Sequence, residues 1–437
     1  MFHADEKRFM FQGMSAAHVS SYYSHTSNDE TRYPQLEERL AADVCIVGGG
    51  FSGVATALSL AERGFSVVLL EAHRIGWGAS GRNGGQMIAG ISGEHCVERQ
   101  LGEDGRRLLK DIRYLGHEII ETRIAKHAIA CDLKYGWAEV AARPRHMAGL
   151  CSYIEERIKA GDGDHLEIVE ASGIEAVVGS RTYHGAMIDR KSGHLHPLNL
   201  CLGEARAAAV QGVKIFERSP VVSFGGGVRP FAETAKGRVE AASIVLAGYA
   251  DPALQRGALS GLVFPTGSYI VATEPLPERV SRGIIPQDLA IADSNVVLDY
   301  FRLSADRRLL FGGRANYSNR DPRDIRATLK PRMVEVFPQL RDVALDFAWG
   351  GKIDIVLSRA PAIGRLEPNV YYMQGYSGHG VNTTHIAGEV VADAIAGTME
   401  RLDTFERIRQ IRLPVGQFLG SQLLALGMLY YRLRDIL

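Results

Sequence analysis

The sequence predicts an α/β fold, α+β overall, in which a discontinuous parallel sheet of the doubly wound kind carries an inserted, mostly antiparallel sheet. Three observations predict it. A strand, glycine turn, helix and strand succeed one another between Asp43 and Glu71, alternating stretches run between Leu262 and Gly313, and a second strand, glycine turn and helix fall between Asn369 and Ile395.

Asp43 to Val47 is an apolar run that enters Gly48-Gly49-Gly50, and Ser52 to Arg63 then places Val54, Ala57, Leu58 and Ala61 at helical spacing. Gly64 stops this helix, and Phe65 to Leu70 reads as a buried strand ending at Glu71. The unit is βαβ, which calls for a parallel pair with a crossover helix.

Gly48, Gly50 and Gly53 form a GxGxxG pattern, a weak signal by itself because glycine-rich turns are common. Its position between an apolar strand and a helix opening at Phe51 and Ser52 gives it weight. Bare backbone there can approach a pyrophosphate, and free N–H groups at the helix start face its charge. Glu71, followed by Ala72, closes the next strand about 20 residues later, where a carboxylate accepts hydrogen bonds from both ribose hydroxyls. An acid there disfavours a 2′-phosphate, and with it NADP. A plain α/β turn with a surface Glu is the alternative, and on these residues FAD and NAD both stay open.

Farther on, the pattern is helical from Glu98 to Lys126 and from Met147 to Ala160, and strand-like from Ile215 to Phe224 and from Ile244 to Gly248. Ser268 to Thr273 and Arg308 to Phe311 alternate as antiparallel strands do. The expected organisation is an N-terminal arm at 1–33, disordered or on the surface, then a first part of the nucleotide domain at 34–90. Helical and second-domain segments follow at 91–195, a second nucleotide-domain part at 196–260, and the antiparallel sheet at 261–350. A third nucleotide-domain part with a C-terminal helix takes 351–437.

With 437 residues the chain supports about two domains sharing one interior. Lys plus Arg and Asp plus Glu each number 50, and no basic stripe marks a nucleic-acid partner. The five cysteines, Cys45, Cys96, Cys131, Cys151 and Cys201, have neither metal-site nor disulfide spacing. A reducing, cytoplasmic setting and no metal are the expectation, and Met1 to Gln12 lacks the apolar run of a signal peptide. The most apolar segment, Gln417 to Tyr431, falls short of the roughly 18 residues of a spanning helix. It reads as a helix packed on the body, with peripheral membrane contact as the alternative.

Ile75 to Gln86, IGWGASGRNGGQ, is dense in small residues that let a flat ring pass close to the backbone. At this point the sequence resembles the FAD-dependent D-amino-acid oxidase and glycine oxidase superfamily, and is most similar to its γ-glutamylputrescine-oxidising branch. The likeness is carried by SYY at Ser21 to Tyr23, GASGRNGGQ, HPLNL at His196 to Leu200, YFRLSADRRLLFGG from Tyr300 to Gly313, and YYMQGYSGHGV from Tyr371 to Val381.

The resemblance implies an FAD-binding, Rossmann-like domain with an inserted substrate domain. It implies that Gly48, Gly50, Gly53 and Glu71 hold the ADP half. Ser80, Arg82, Asn83, Gly84, Gly85 and Gln86 would follow the ribityl chain and ring. Val221 would meet adenine through its backbone, with Ala247 and Gly248 near the pyrophosphate. Gly378, His379, Gly380 and Val381 would face the pyrimidine end of the flavin. Relatives with a covalent flavin carry His where this chain has Asn83 to Gly85, or Cys near Ser358 and Arg359, so the FAD is expected to be non-covalent.

The implied activity removes hydride from the carbon next to an amine nitrogen to flavin N5, giving an imine that hydrolyses, with hydrogen peroxide as co-product if oxygen is the acceptor rather than a quinone. Arg359 falls where amino-acid oxidases of the superfamily place a carboxylate-binding arginine, whose fork suits bidentate capture. His379 is a positioning residue or, alternatively, a general base. Tyr300, Arg302 and Trp349 are further pocket candidates, with packing as the competing role. The small, apolar run Met87 to Glu94 departs from the polar lining expected for γ-glutamylputrescine, which makes L-pipecolate the alternative substrate. A non-enzymatic FAD-binding protein is the remote alternative.

Overall fold

The structure, a computed structural model, describes residues 17–248, 254–255, 257–316 and 321–413. The strand Arg39–Val47 shows how the first sheet forms. Residues 44–47 are buried on both faces, as a central parallel strand requires. Val44 and Ile46 enter an apolar cluster with Val54, Leu58, Ile386 and Val390, whereas Cys45 and Val47 enter another with Val221, Phe224 and Ala232. The period of two along the strand thus separates two cores.

The sheet order is Ala362–Glu367, Val370–Gln374, Arg238–Leu246, Arg39–Val47, Val67–Leu70, Lys214–Phe216. All neighbours are parallel except Ala362–Glu367, which pairs antiparallel at one edge. Helices Phe51–Glu62, Leu115–His127, Pro197–Val210 and Gly380–Ile395 pack together over one face. The other face, where a doubly wound sheet has helices, is covered by the hairpin Val221–Gly225 and Phe231–Thr234, which hangs on Arg238–Leu246.

Between these helices lies a buried ionic knot. Glu204 accepts from Arg123 Nη1 at 3.0 Å and His385 Nε2 at 3.1 Å, while Arg123 Nη2 donates to the Ala55 carbonyl and Ser59 Oγ. Burial alone would raise the Glu204 pKa, but the charges and hydrogen bonds of His385 and Arg123 outweigh it and hold the group at about 2.

The second sheet runs Leu345–Ile355, Phe264–Thr273, Leu309–Asn316, Tyr300–Leu303, Ala290–Asp293, Lys134–Val140, Gly185–His194, Gln86–Met87, with Leu166–Glu170 also on Gly185–His194. Only Lys134–Val140 and Ala290–Asp293 pair in parallel. The helix Ile325–Val336 packs on this sheet through Leu329, Met333 and Val336.

Several expectations need correction. The second sheet is not confined to 261–350: it takes Gln86–Met87 from the first nucleotide segment, and Leu345–Ile355 crosses the 350/351 boundary. The single run from Ile215 to Phe224 is two strands, Lys214–Phe216 and Val221–Gly225, broken where Arg218 takes a φ of 53°. Residues 17–33 are not a surface arm, because Tyr22 and Tyr23 are buried at 3% and 0% exposure. Tyr23 packs edge-on against Trp349, and Tyr22 Oη donates to Asp306 at 2.9 Å. The C-terminal helix expected over Gln417 to Tyr431 lies outside the described residues. Among the described residues no helix is long and apolar enough to cross a membrane.

Candidate cofactor-binding and active site

The turn after Arg39–Val47 is shaped for close backbone approach. Gly48 has a φ of +115°, and a Cβ on it would fall 2.7 Å from the backbone of Ala247 and Gly248. A Cβ on Gly53 would fall 1.9 Å from the Gly48 carbonyl, so only glycine lets the helix start press against the strand exit. The helix Phe51–Glu62 opens at Gly50 with no side-chain cap, Ser80 Oγ accepts from Phe51 N at 2.8 Å, and Ser52 Oγ meets Tyr376 Oη at 2.7 Å.

Glu71 stands beside this turn. Its carboxylate accepts from Gly49 N and His73 N, each at 2.7 Å. Burial pushes its pKa up to about 7, with those two backbone donors pulling the other way. The Glu71 carbonyl accepts from Ser219 N, two residues before Val221 at the hairpin start, and Ala72 follows in a half-buried position. Gly48, Gly50, Gly53, Glu71, Val221, Ala247 and Gly248 thus share one end of the parallel sheet.

The segment 80–86 crosses from this end to the second sheet, and several side chains hold its backbone. Trp349 Nε1 donates to the Arg82 carbonyl at 2.9 Å. Arg302 Nε donates to the Gly84 carbonyl at 2.7 Å, and its Nη2 to the Leu195 carbonyl at 2.8 Å. A Cβ on Gly84 would fall 2.8 Å from the Tyr300 ring, whose hydroxyl bonds Ser268 Oγ at 3.0 Å. Asn83 folds back on the loop, donating to the Ala79 and Ser80 carbonyls and accepting from Gly85 N. The Gln86 amide is engaged by Trp137 and the Ile291 carbonyl. Tyr300, Arg302 and Trp349, expected as pocket residues, therefore converge on the backbone of 82–84.

Gly378, His379, Gly380 and Val381 form the start of the helix Gly380–Ile395, again without a side-chain cap. His379 Nε2 lies 3.0 Å from the Ala89 carbonyl and 3.2 Å from that of Ile88, a contact in which the ring nitrogen donates. Asn382 Nδ2 donates to the Gly90 carbonyl at 2.9 Å, and Asn382 Oδ1 meets His117 Nδ1 at 2.8 Å. Desolvation lowers the His379 pKa, so the ring is neutral at neutral pH.

Segment 87–94 thus lies against this helix start. It also touches Arg359, because a Cβ on Gly93 would fall 2.4 Å from Ala360 N and 2.7 Å from the Arg359 carbonyl carbon. Arg359 has a left-handed φ of 63° and is exposed, and its guanidinium has no partner among the described residues. Its positive charge adds a small part to the lowering of the His379 pKa.

Sequence reasoning missed Tyr23, Tyr376 and Asn382. Tyr23 and Tyr376 fall within stretches that carry the resemblance, but their partners, like those of Asn382, are distant in the chain, so no local pattern gives them a role. Among the described residues no cluster of His, Cys, Asp and Glu could hold a metal ion.

A dinucleotide fits the first part of the site, since a Cβ would fill the turn at Gly48 and Gly53 and the helix start has no cap of its own. A family profile described as FAD dependent oxidoreductase matches residues 43–394. The chain is 41% identical over 425 residues to γ-glutamylputrescine oxidoreductase of Escherichia coli, covering 96% of this chain and 98% of that protein. It is 39% identical to a probable oxidoreductase OrdL of Haemophilus influenzae, covering 96% and 97% respectively. Among solved structures, glycine oxidase from Geobacillus kaustophilus shares the fold with a TM-score of 0.67 at 21% identity, over 82% of this chain and 95% of that one.

Proposed function

This chain belongs to the FAD dependent oxidoreductase family, and on that premise we propose that it oxidises an amine carrying a distant carboxylate, with γ-glutamylputrescine as substrate. Similarity to the Escherichia coli γ-glutamylputrescine oxidoreductase along nearly the whole chain supports this reading. The observation that carries it is Arg359, whose guanidinium has no partner among the described residues and which sits on a left-handed turn against Gly93 of segment 87–94.

Bound FAD supplies a two-electron acceptor that takes hydride from the carbon next to the amine nitrogen, leaving an imine that water hydrolyses. In this reading Gly48, Gly50, Phe51, Ser52 and Gly53 hold the pyrophosphate, and the Glu71 carboxylate accepts from the ribose hydroxyls. Residues 80–86 support the ribityl chain and ring without a covalent bond, their backbone fixed by Tyr300, Arg302 and Trp349. Val221, Ala247 and Gly248 serve the adenine and pyrophosphate side. The helix start at Gly378, His379, Gly380 and Val381 presents N–H groups to the ring's pyrimidine end. His379 holds the backbone of 88–89 in place, and Arg359 binds the substrate carboxylate as a fork. Dioxygen takes the electrons onward, hydrogen peroxide is released, and the work is done in the cytoplasm.

The experiment is anaerobic bleaching of the yellow protein by γ-glutamylputrescine, putrescine and L-pipecolate, followed by admission of air and a peroxide assay. Fastest bleaching by γ-glutamylputrescine is expected. Equal bleaching by putrescine would overturn the carboxylate role, and fastest bleaching by L-pipecolate would move the substrate to a cyclic amino acid. Reoxidation by quinone without peroxide would overturn the choice of acceptor. Bleaching by no amine would leave a cofactor-binding protein without this activity.

A further inference from the structure

Among the described residues, the Arg82 guanidinium has no acidic counter-charge. Its Nε donates to the Trp77 carbonyl at 2.7 Å, Nη1 reaches the Gly350 carbonyl only at 3.5 Å, and Nη2 is buried with no partner among the described residues. The guanidinium lies 4.2 Å over the Trp77 ring. Burial pushes its pKa down to about 10 and no neighbouring acid opposes that, yet the group stays charged at neutral pH.

Other buried arginines are treated differently. Arg74 pairs with Glu217, Arg113 with Glu94 and Asp162, and Arg123 with Glu204. Arg302 has backbone carbonyls on all three nitrogens. A buried charge without a partner is costly, so a group beyond the described residues is expected to complete it.

The surroundings say which kind of group. Trp77 stacks on His73 at 3.9 Å, and His73 N donates to Glu71. Ser80, two residues before Arg82, holds Phe51 N at the start of the dinucleotide helix. Over this place lies the N-terminal segment: Trp77 Nε1 donates to the Ala17 carbonyl at 3.0 Å, and His18 Nε2 is also buried without a partner. His18 is close enough to feel the charges of Arg74, Arg82 and Arg32. The nitrogens left unspent here are Arg82 Nη2 and His18 Nε2, and a charged guanidinium suits an anion that is charged at all times. An oxidised flavin ring is neutral, whereas a diphosphate is a permanent dianion.

We propose that Arg82 donates to an anionic oxygen of the cofactor's diphosphate, and that residues 17–18 shield this contact from solvent. The proposal rests on the FAD reading above and assigns Arg82 to the charged middle of the cofactor rather than to its ring.

The test uses full-length protein stripped of flavin and titrated with FAD, comparing wild type, Arg82→Lys and Arg82→Gln. Arg82→Gln should weaken FAD binding by about 10- to 150-fold, the range of one charge-assisted hydrogen bond, and Arg82→Lys by less. In the ³¹P spectrum of bound FAD, the diphosphate resonances should move in Arg82→Gln while the visible flavin spectrum stays near that of wild type. Should Arg82→Gln fail to fold by circular dichroism, the same ³¹P shift is read in Arg82→Lys. Unchanged affinity and ³¹P resonances would overturn the proposal. So would unchanged resonances with either a raised KM, which would place a substrate carboxylate at Arg82, or an altered reduction potential, which would place the ring there. A wild type that takes up no FAD would instead overturn the cofactor reading and this proposal with it.

Discussion

Arg302 Nε and the Gly84 carbonyl meet at 2.7 Å although 218 residues separate them in the chain. The same guanidinium donates to the carbonyls of Leu195 and Leu303 and to Tyr23 Oη. It is a cationic hub for backbone oxygens, and it joins the loop at 82–85 to the second sheet.

Arg302→Met should therefore leave several buried carbonyls unsatisfied and cost about 2 to 4 kcal/mol, at roughly 1 to 3 kcal/mol for each orphaned group that fails to reach water. Urea denaturation of the flavin-loaded protein checks the loss, and dialysis should strip FAD from the variant faster. Stability within about 0.5 kcal/mol of wild type would show that the hub is dispensable.

Glu71 gives a pH signature in the protein stripped of flavin. Its folded pKa of about 7 lies above the ordinary 4.5, so between these values the folded chain binds more protons than the unfolded one. Stability from this group is fully present below pH 4.5, falls as pH rises to about 7, and is flat beyond. In Glu71→Gln that slope should vanish, and FAD affinity should drop with the loss of a charged acceptor. Thermal melting from pH 4.5 to 8 with and without FAD measures both, and parallel profiles for the two proteins would refute the assignment.

Arg359→Lys keeps the charge but loses the planar fork, so KM for a carboxylate-bearing amine should rise while flavin binding and spectrum hold. The expected loss in kcat/KM is about 10- to 150-fold, from roughly 1.5 to 3 kcal/mol for one charge-assisted contact. An amine without a carboxylate should be indifferent to the change. If it suffers equally, Arg359 does not touch the carboxylate.

For His379 the ring is neutral and its Nε2 is committed to the carbonyls at 88–89, so it should add no limb to the pH–rate profile. His379→Gln, which retains a donor of similar reach, should lose less than about 10-fold in kcat, whereas loss of a general base removes about 10²- to 10⁴-fold. Steady-state kinetics on His379→Gln and His379→Phe separate the two roles, since only a positioning role predicts rescue by Gln.

The parts legible in the sequence are those whose demands are local. An apolar strand, glycines where a Cβ would strike backbone, and an acid at the next strand end all fall within Arg39 to Glu71, and the structure forms them in that order. Lys134–Val140 and Gly185–His194 were not legible, because Lys134, Glu139, Asp189, Arg190 and Lys191 break the apolar alternation. Their burial comes from neighbours far away in the chain. Ser21 to Tyr23 sits in polar sequence, and its burial is decided by Trp349, Asp306 and Arg302. The sequence and its resemblance pointed Arg302 and Trp349 toward a pocket, with packing as the competing role. Only the three-dimensional arrangement shows that both grip the loop beside it.

The parallel sheet takes its strands from Arg39–Val47, Val67–Leu70, Lys214–Phe216, Arg238–Leu246 and Val370–Gln374, and Gly380–Ile395 then packs on Phe51–Glu62. During synthesis the glycine turn leaves the ribosome early, but the strand and helix that complete its surroundings leave near the end. Until then the helix Phe51–Glu62 can pack against Pro197–Val210 but lacks the cover of Gly380–Ile395. Flavin loading is therefore expected late, and a chain cut short before residue 370 is expected to leave an unfinished sheet with an open edge, a substrate for proteases and chaperones rather than a partial enzyme.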